Sequence, residues 1–156
     1  GGNRVSVTPP DGGIPTTQIT NALGQVTQRR QHKGDTPASA YDATTYTYTP
    51  AGQIASATDP SGNHWTTTYD LRGRKIKTTD PDAGTTTLTY DDLDRVVSST
   101  DARGKKIYIN YDGLSRVTDT REGSADGTKL TSFTYDTVRR GKGRPASATR
   151  HHNGAQ

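Results

Sequence analysis

The stretch YDLRGRKIKTTDPDAGTTTLTYDDLDR, from Tyr69 to Arg95, holds two Tyr-Asp pairs 21 residues apart. Each tyrosine is followed by an arginine five positions on, Arg74 and Arg95. The same spacing runs outward in both directions. Tyr48, Tyr69, Tyr90 and Tyr111 recur every 21 residues, and Tyr135 follows after 24. The pairs Tyr69-Asp70, Tyr90-Asp91, Tyr111-Asp112 and Tyr135-Asp136 share their first two residues. Arg116 continues the arginine series, and Gln53 holds that place in the first copy. Eleven residues after each tyrosine from Tyr48 to Tyr111 stands an acid, Asp59, Asp80, Asp101 or Glu122, and a glycine follows it. Four landmarks in one register mark an internal repeat, which takes precedence over any local reading.

Within one unit, GRKIKTTD feeds the turn DPDAG, and TTTLTY feeds the turn YDDLDR. Proline and glycine between threonine-rich runs are hairpin signals. The strand before each tyrosine alternates. Trp65-Thr67-Tyr69, Thr86-Leu88-Tyr90, Ile107-Ile109-Tyr111 and Thr131-Phe133-Tyr135 occupy one face, and mostly polar residues the other. That period of two predicts strands with one wet face. A single hairpin is marginal alone. Stacked hairpins pair their edges and join their apolar faces, as in a solenoid. The expected fold is therefore all-β, a spiral of stacked hairpins.

Composition supports this reading. Leu, Ile, Val and Phe together make 20 of 156 residues, so the core is thin. Such poverty points to disorder when net charge is high, but here it is only +4. The 28 threonines and 8 tyrosines favour extended strands. With no cysteine, disulfides and thiolate metal sites are excluded. No apolar run reaches the ~20 residues of a membrane-spanning helix. The absence of methionine is expected of a piece of a longer chain.

The array divides unevenly. Residues 48–150 form the regular part. Residues 1–47 read as divergent repeats, in which TNALGQVTQ matches YTPAGQIAS at a distance of 28, with a polar loop at about 29–45. PDGGIPTTQI reads as the second half of a still earlier unit, and Tyr41-Asp42, with no Gly-Arg behind it, as a decoy. Residues 151–156, including His151 and His152, are expected to be a solvated tail.

Tyr-Asp-x-x-Gly-Arg followed by a strand, an acidic turn with glycine and a second strand resembles the YD repeat of the RHS family. YDLRGRKIKTTDPDAG carries the pattern almost throughout. YDDLDRVVSSTDARG and YDGLSRVTDT depart from it at the glycine, where Asp94 and Ser115 stand, and the turn is expected to relax at Ser115. YDTVRRGKGRPASATR carries an inserted basic segment. The resemblance covers residues 42–150 well. It implies that the chain is an open stretch of wall in a large β-shell of a secreted or surface protein. In bacterial polymorphic toxins and toxin complexes such a shell encloses a variable C-terminal toxin, and in teneurins similar repeats form a shell on an adhesion protein. The implied partners are the remainder of the parent shell and its enclosed toxin.

The residues that carry this role are Tyr48, Tyr69, Asp70, Gly73, Arg74, Tyr90, Asp91, Arg95, Tyr111, Asp112, Arg116, Tyr135 and Asp136. The tyrosines are expected to pack ring on ring, with each hydroxyl finding a partner at the rim. The aspartates are expected to bond main-chain N–H groups of their own turns, and the arginines to pair with aspartates of adjacent units. Glycan binding is the alternative role, with Trp65 and Tyr108 as candidate sugar-stacking residues. Acids repeat beside the bases, so no nucleic-acid stripe is expected. Asp59, Asp80, Asp82 and Asp101 read as turn residues and lack a calcium-loop pattern, so neither metal nor cofactor is expected. No nucleophile motif surrounds His32, His64, His151 or His152, and no catalytic residue is assigned. DPSGN at Asp59–Asn63 shares Asp-Pro-x-Gly with the family's self-cleavage sequence but lies in phase with Asp80 and Asp101, as a repeat turn does.

Overall fold

The computed structural model describes residues 3–10, 13–137, 139 and 141–152. Asp11 and Gly12 of PDGGIPTTQI, Val138 and Arg140 of the basic segment, and residues 153–156 of the expected tail lie outside the described residues. The chain falls into two compact units, Gly1–Ala83 and Gly84–Gln156.

The first unit contains β1 (Arg4–Val7), β2 (Thr16–Thr20), β3 (Val26–His32), β4 (Tyr41–Tyr48), β5 (Ile54–Thr58), β6 (His64–Tyr69) and β7 (Lys75–Asp80). Each strand pairs antiparallel with the next. The second contains β8 (Gly84–Tyr90), β9 (Val96–Thr100), β10 (Lys106–Tyr111), β11 (Val117–Glu122), β12 (Thr128–Tyr135) and β13 (Pro145–Arg150), again an antiparallel meander. No helix occurs among the described residues. The all-β array of consecutive hairpins anticipated from the 21-residue period is the fold observed.

Neither unit has an apolar core: no hydrophobic side chain among the described residues is buried. The buried polar side chains are Thr17, His32 and Ser98. Each unit is a strip of sheet whose cohesion comes from ladder bonds and from contacts along the faces and turns. Cross-strand hydroxyl pairs supply part of this. Thr47 and Ser56 lie 2.6 Å apart, Thr89 and Ser98 2.6 Å, and Thr134 and Ser147 2.7 Å. In the fourth hairpin the same rung is Asn110 donating to Asp119 at 2.9 Å. Such pairs each contribute roughly 0.2–1 kcal/mol over alanine, which explains how a threonine-rich chain holds a sheet.

The loop of the early repeat is confined to 33–40, narrower than the 29–45 expected, and the remaining extra residues lengthen β3 and β4. Arg29–His32 and Tyr41–Thr45 are instead strand, because the β3–β4 ladder runs from the Gln28–Thr45 pair to the His32–Tyr41 pair. The loop folds back onto this sheet. The His32 Nδ1–H donates to the Ser39 carbonyl at 3.2 Å, and Lys33 N–H to that of Ala40 at 2.7 Å. On its other side His32 Nε2 meets the Thr17 hydroxyl at 2.9 Å, and Thr17 meets Ser6 at 2.9 Å. Loop cover and this polar chain account for the burial of Thr17 and His32. Tyr41 starts a strand rather than a turn and packs edge-on against His32. At the far end His151, expected in a solvated tail, is tied to β12: its N–H donates to Leu130 at 2.8 Å and its ring meets Ser132 at 2.9 Å.

Candidate functional site

The chemistry of this chain lies along one set of turns. Asp70 organises the first complete example. Its Oδ1 accepts from the N–H groups of Arg72 and Arg74, each at 2.9 Å. Its N–H donates to the Arg74 carbonyl, and Gly73 N–H donates to the Asp70 carbonyl, each at 3.0 Å. Gly73 has φ +79°, the left-handed position that closes a three-residue hairpin loop. The Asp70 Oδ2 takes the Arg74 guanidinium at 2.7 Å. Asp91 with Arg95 and Asp112 with Arg116 repeat this geometry at 2.7 Å.

The acidic turn at the opposite rim is the same loop. Asp59 accepts from Ser61 and Asn63, and Asp101 from Arg103 and Lys105. DPSGN is thus a repeat turn in its hydrogen bonding. Asp59 and Asp101 turn their oxygens inward to their own loops, and Asp80 turns its Oδ1 to the N–H groups of Asp82 and Ala83.

These bonds favour the charged carboxylate. The Arg74 amide lowers the Asp70 carboxyl most; partial burial opposes it, and the Arg74 guanidinium lowers it further. Asp112 is held below the ordinary range by Arg116 in the same way. For Asp91 desolvation is the largest influence and pushes upward, yet the Arg95 and Leu93 bonds together leave it lowered.

The left-handed position persists where glycine is missing. Asp94 has φ +62° and Ser115 φ +63°, and Ser115 N–H still donates to Asp112 at 3.0 Å. The relaxation expected at Ser115 does not occur, because the Asp112 carboxylate grips both Leu114 and Arg116. The Ser115 hydroxyl is also used, accepting from Arg95 at 3.1 Å.

Next to each tyrosine the hairpin carries a bulge. Tyr69 pairs with Lys75 but Thr68 with Lys77, so Ile76 is extra. Tyr48, Tyr90, Tyr111 and Tyr135 have equivalent shifts. Bulges bend a strand and re-aim a side chain. Here the ladder between neighbouring hairpins stops short of the bulged rim. The β9–β10 ladder ends at Ser98–Tyr108, β5–β6 at Ser56–Thr66, β11–β12 at Asp119–Ser132 and β3–β4 at Gln28–Thr45. Two residues beyond each last pair a main-chain carbonyl is left, and a tyrosine hydroxyl reaches it. Tyr48 donates to Val26 at 2.7 Å, Tyr69 to Ile54 at 3.0 Å, Tyr111 to Val96 at 2.8 Å and Tyr135 to Val117 at 2.9 Å. The tyrosine therefore closes each hairpin onto the one before it.

A second link points forward. The side chain five residues after a tyrosine reaches the next turn. Gln53 donates to the Gly73 carbonyl at 2.7 Å, Arg95 to Ser115, and Arg116 to the Asp136 carboxylate at 2.8 Å. The Arg95 and Arg116 guanidinium carbons lie 4.5 and 4.3 Å from the ring centres of Tyr111 and Tyr135. This corrects two expectations. The described contact on those rings is a guanidinium, and no ring-on-ring contact joins Tyr48 to Tyr69 or Tyr111 to Tyr135. The arginines pair first with the aspartate of their own turn, because it lies four residues away in a closed loop. Arg116–Asp136 adds a pair to the adjacent unit. Neither the bulge nor the backward reach of the tyrosine has a signal in residue type; only the fixed spacing hinted at a shared task.

The two candidate sugar-stacking residues are engaged. The Trp65 indole N–H donates to Asp80 at 3.1 Å, and the side chain is half-buried. Tyr108 lies on the opposite face from Ile107 and Ile109, with the Lys106 ammonium 4.6 Å from its ring centre.

The RHS repeat model matches residues 48–85 and 76–106, which hold the Asp70 and Asp91 turns. No curated protein sequence matches. Among solved structures, the crystal structure of TcdB2-TccC3 is similar over 90% of this chain, with TM-score 0.75 and 17% identity. The TcdB2-TccC3-TEV structure gives 0.72 and 18% over the same share. TcdB2-TccC3-Cdc42 gives 0.67 and 19% over 79% of the chain. At these identities the likeness is one of fold, and this chain spans only 7–8% of the length of those chains. Residues 48–106 of the Tyr-Asp array, with the paired turns at Asp70 and Asp91, thus match the RHS repeat, and the fold of the array is similar to that of the TcdB2-TccC3 structures.

Proposed function

We propose that this chain is a structural, non-catalytic stretch of wall in a larger RHS shell. The wall encloses a C-terminal toxin cargo in a secreted or surface protein. One observation carries the reading: every tyrosine closure joins a hairpin to its neighbour, while no apolar side chain among the described residues is buried within the strip. A strip held together between units rather than within them can be lengthened indefinitely, as a wall requires. The solved structures of similar fold are of far longer chains, which fits a part-to-whole relation. The carboxylates of the Asp turns accept from their own main chain and arginines, which supports a mechanical role.

Limited proteolysis of the parent protein tests this. Cargo following the repeats should resist protease in the intact protein and become cleavable when residues 48–106 are deleted. Equal cleavage with and without those repeats would refute enclosure.

A further inference from the structure

We propose that the Tyr-Asp rim of the second unit is a docking surface for an anionic lipid layer, centred on Leu114 and on the bases Arg139, Lys142 and Arg144. Three turns stand side by side on this rim. Arg95 of the turn at 91–95 donates to Ser115 at 3.1 Å, and Arg116 of the turn at 112–116 reaches Asp136 at 2.8 Å. Neighbouring turns on one rim are two strands apart, about 10 Å. The third turn keeps the frame of the others, since the Asp136 N–H donates to the Arg144 carbonyl at 3.2 Å. Within that frame it holds nine residues, 136–144, where the turn at 70–74 holds five.

The bases of this third turn are unspent. Arg139, Lys142 and Arg144 are exposed, and their side chains make no hydrogen bond or ion pair with the described residues. The cause lies in the turn before. Asp136, the acid of the loop, takes the Arg116 guanidinium and the Gly143 N–H. Elsewhere the aspartate holds the arginine of its own turn, as Asp112 holds Arg116 at 2.7 Å. Arg144 stands in the place of that arginine and is left over. The rim is apolar as well as basic. Leu93 and Leu114 are the exposed large hydrophobic side chains among the described residues of the second unit, at 68% and 73%, and both sit at tips of this rim. Each is held rigidly, because Asp91 takes the Leu93 N–H at 3.0 Å and Asp112 the Leu114 N–H at 2.9 Å. At the opposite rim Arg103 and Lys105 are paired with Asp101 and Glu122, and among the described residues no turn there exposes a large hydrophobic side chain.

Charge and shape together select the partner. Unpaired bases call for a surface rich in phosphate or carboxylate. The leucines stand on convex tips, so a protein partner would need a hollow for each, whereas a fluid acyl layer yields to both. Apolar insertion and attraction to anionic headgroups then add. Nucleic acid offers phosphates but no apolar phase for the leucines, and the rim has no aromatic face at its tips on which bases could stack. Asp92, exposed beside Leu93, opposes the approach of an anionic surface, so the Leu114 tip and the bases bear the contact. The proposal goes beyond the wall function and does not rest on it.

Flotation of the whole chain with lipid vesicles tests it. Phosphatidylcholine vesicles with about one-third phosphatidylserine should bind the chain about tenfold more tightly than phosphatidylcholine alone. Arg139→Gln combined with Lys142→Gln should weaken that binding by about fivefold for each charge removed. Leu114→Ser should weaken it by about fivefold through lost insertion. Both variants should keep the parent melting temperature. Arg103→Gln, at the opposite rim, should leave binding unaltered. The surface is overturned by equal binding to the two kinds of vesicle, by binding that survives either the charge or the leucine change, or by tighter binding of duplex DNA or polyglutamate at the same ionic strength.

Discussion

The Tyr111 hydroxyl donates to the Val96 carbonyl at 2.8 Å, across the gap left where the β9–β10 ladder ends at Ser98–Tyr108. The bulge opposite Tyr90 sets Val96 at the rim, and a tyrosine from the following hairpin supplies the missing donor. The same relation holds for Tyr48, Tyr69 and Tyr135. One 21-residue motif thus provides both the acceptor for its successor and the donor for its predecessor.

The Asp112 carboxylate accepts from two main-chain N–H groups and a guanidinium. Asp112→Ala should destabilise by about 1–2 kcal/mol, the size of a lost capping side chain. Asp112→Asn keeps an oxygen for the two N–H groups and should cost less. Urea melts of both variants decide this, and equal losses would show that the ion pair rather than the turn carries the effect.

Left-handed positions without glycine store strain. Ser115→Gly removes the Cβ penalty at φ +63°, about 1 kcal/mol, but also the hydroxyl that Arg95 uses. A net gain of about 0.5 kcal/mol is expected. Gly104→Ala, at φ +77° with open space around the added carbon, should cost about 1 kcal/mol through backbone strain alone. Thermal melts should move the two variants in opposite directions.

The carboxyls of Asp59, Asp70, Asp91, Asp101, Asp112 and Asp136 are all lowered below 3.8. A carboxyl lowered on folding contributes stability above its unfolded pKa and loses it as pH falls through the folded value. The melting temperature should therefore hold steady from neutrality to about pH 5, where unfolded carboxylates remain ionised. It should fall steadily below about pH 4. A melting temperature constant down to pH 2 would contradict the turn electrostatics.

Arg116 spans two units, with Asp112 on one side and Asp136 and the Tyr135 ring on the other. Arg116→Lys keeps the charge but not the planar fork or the stacking face. A loss of about 0.5–1.5 kcal/mol is expected, combining one cation–π contact with a partly exposed ion pair. If Lys restores full stability where Gln does not, charge alone suffices and the stacking has no energetic role.

Much of the fold was legible because the tyrosine period is exact from Tyr48 to Tyr111, and because Asp with Gly three residues on announces a turn. The site was legible only in outline. Asp70 could be assigned to its own turn, since an aspartate at a loop start has N–H groups within reach. The partners of Tyr111 and Arg95 could not, because a bulge after Tyr90 decides them, and Val96-Val97 looks like any strand. Arg29, Arg30 and Gln31 are polar and read as loop, yet they sit on strand faces where polarity costs nothing, and the loop is only 33–40. Ser115 shows the reverse case: a residue poorly suited to φ > 0 is held there by the aspartate three residues before it.

The central claim is that each hairpin depends on its neighbour through the tyrosine closure. Amide hydrogen exchange on Tyr111→Phe tests it most directly, since the change removes one hydroxyl and keeps the ring. The account predicts that protection falls in β9, Val96–Thr100, as well as in β10, by about fivefold, the equivalent of one hydrogen bond worth about 1 kcal/mol. Protection in β9 that equals the parent while β10 alone loosens would contradict it.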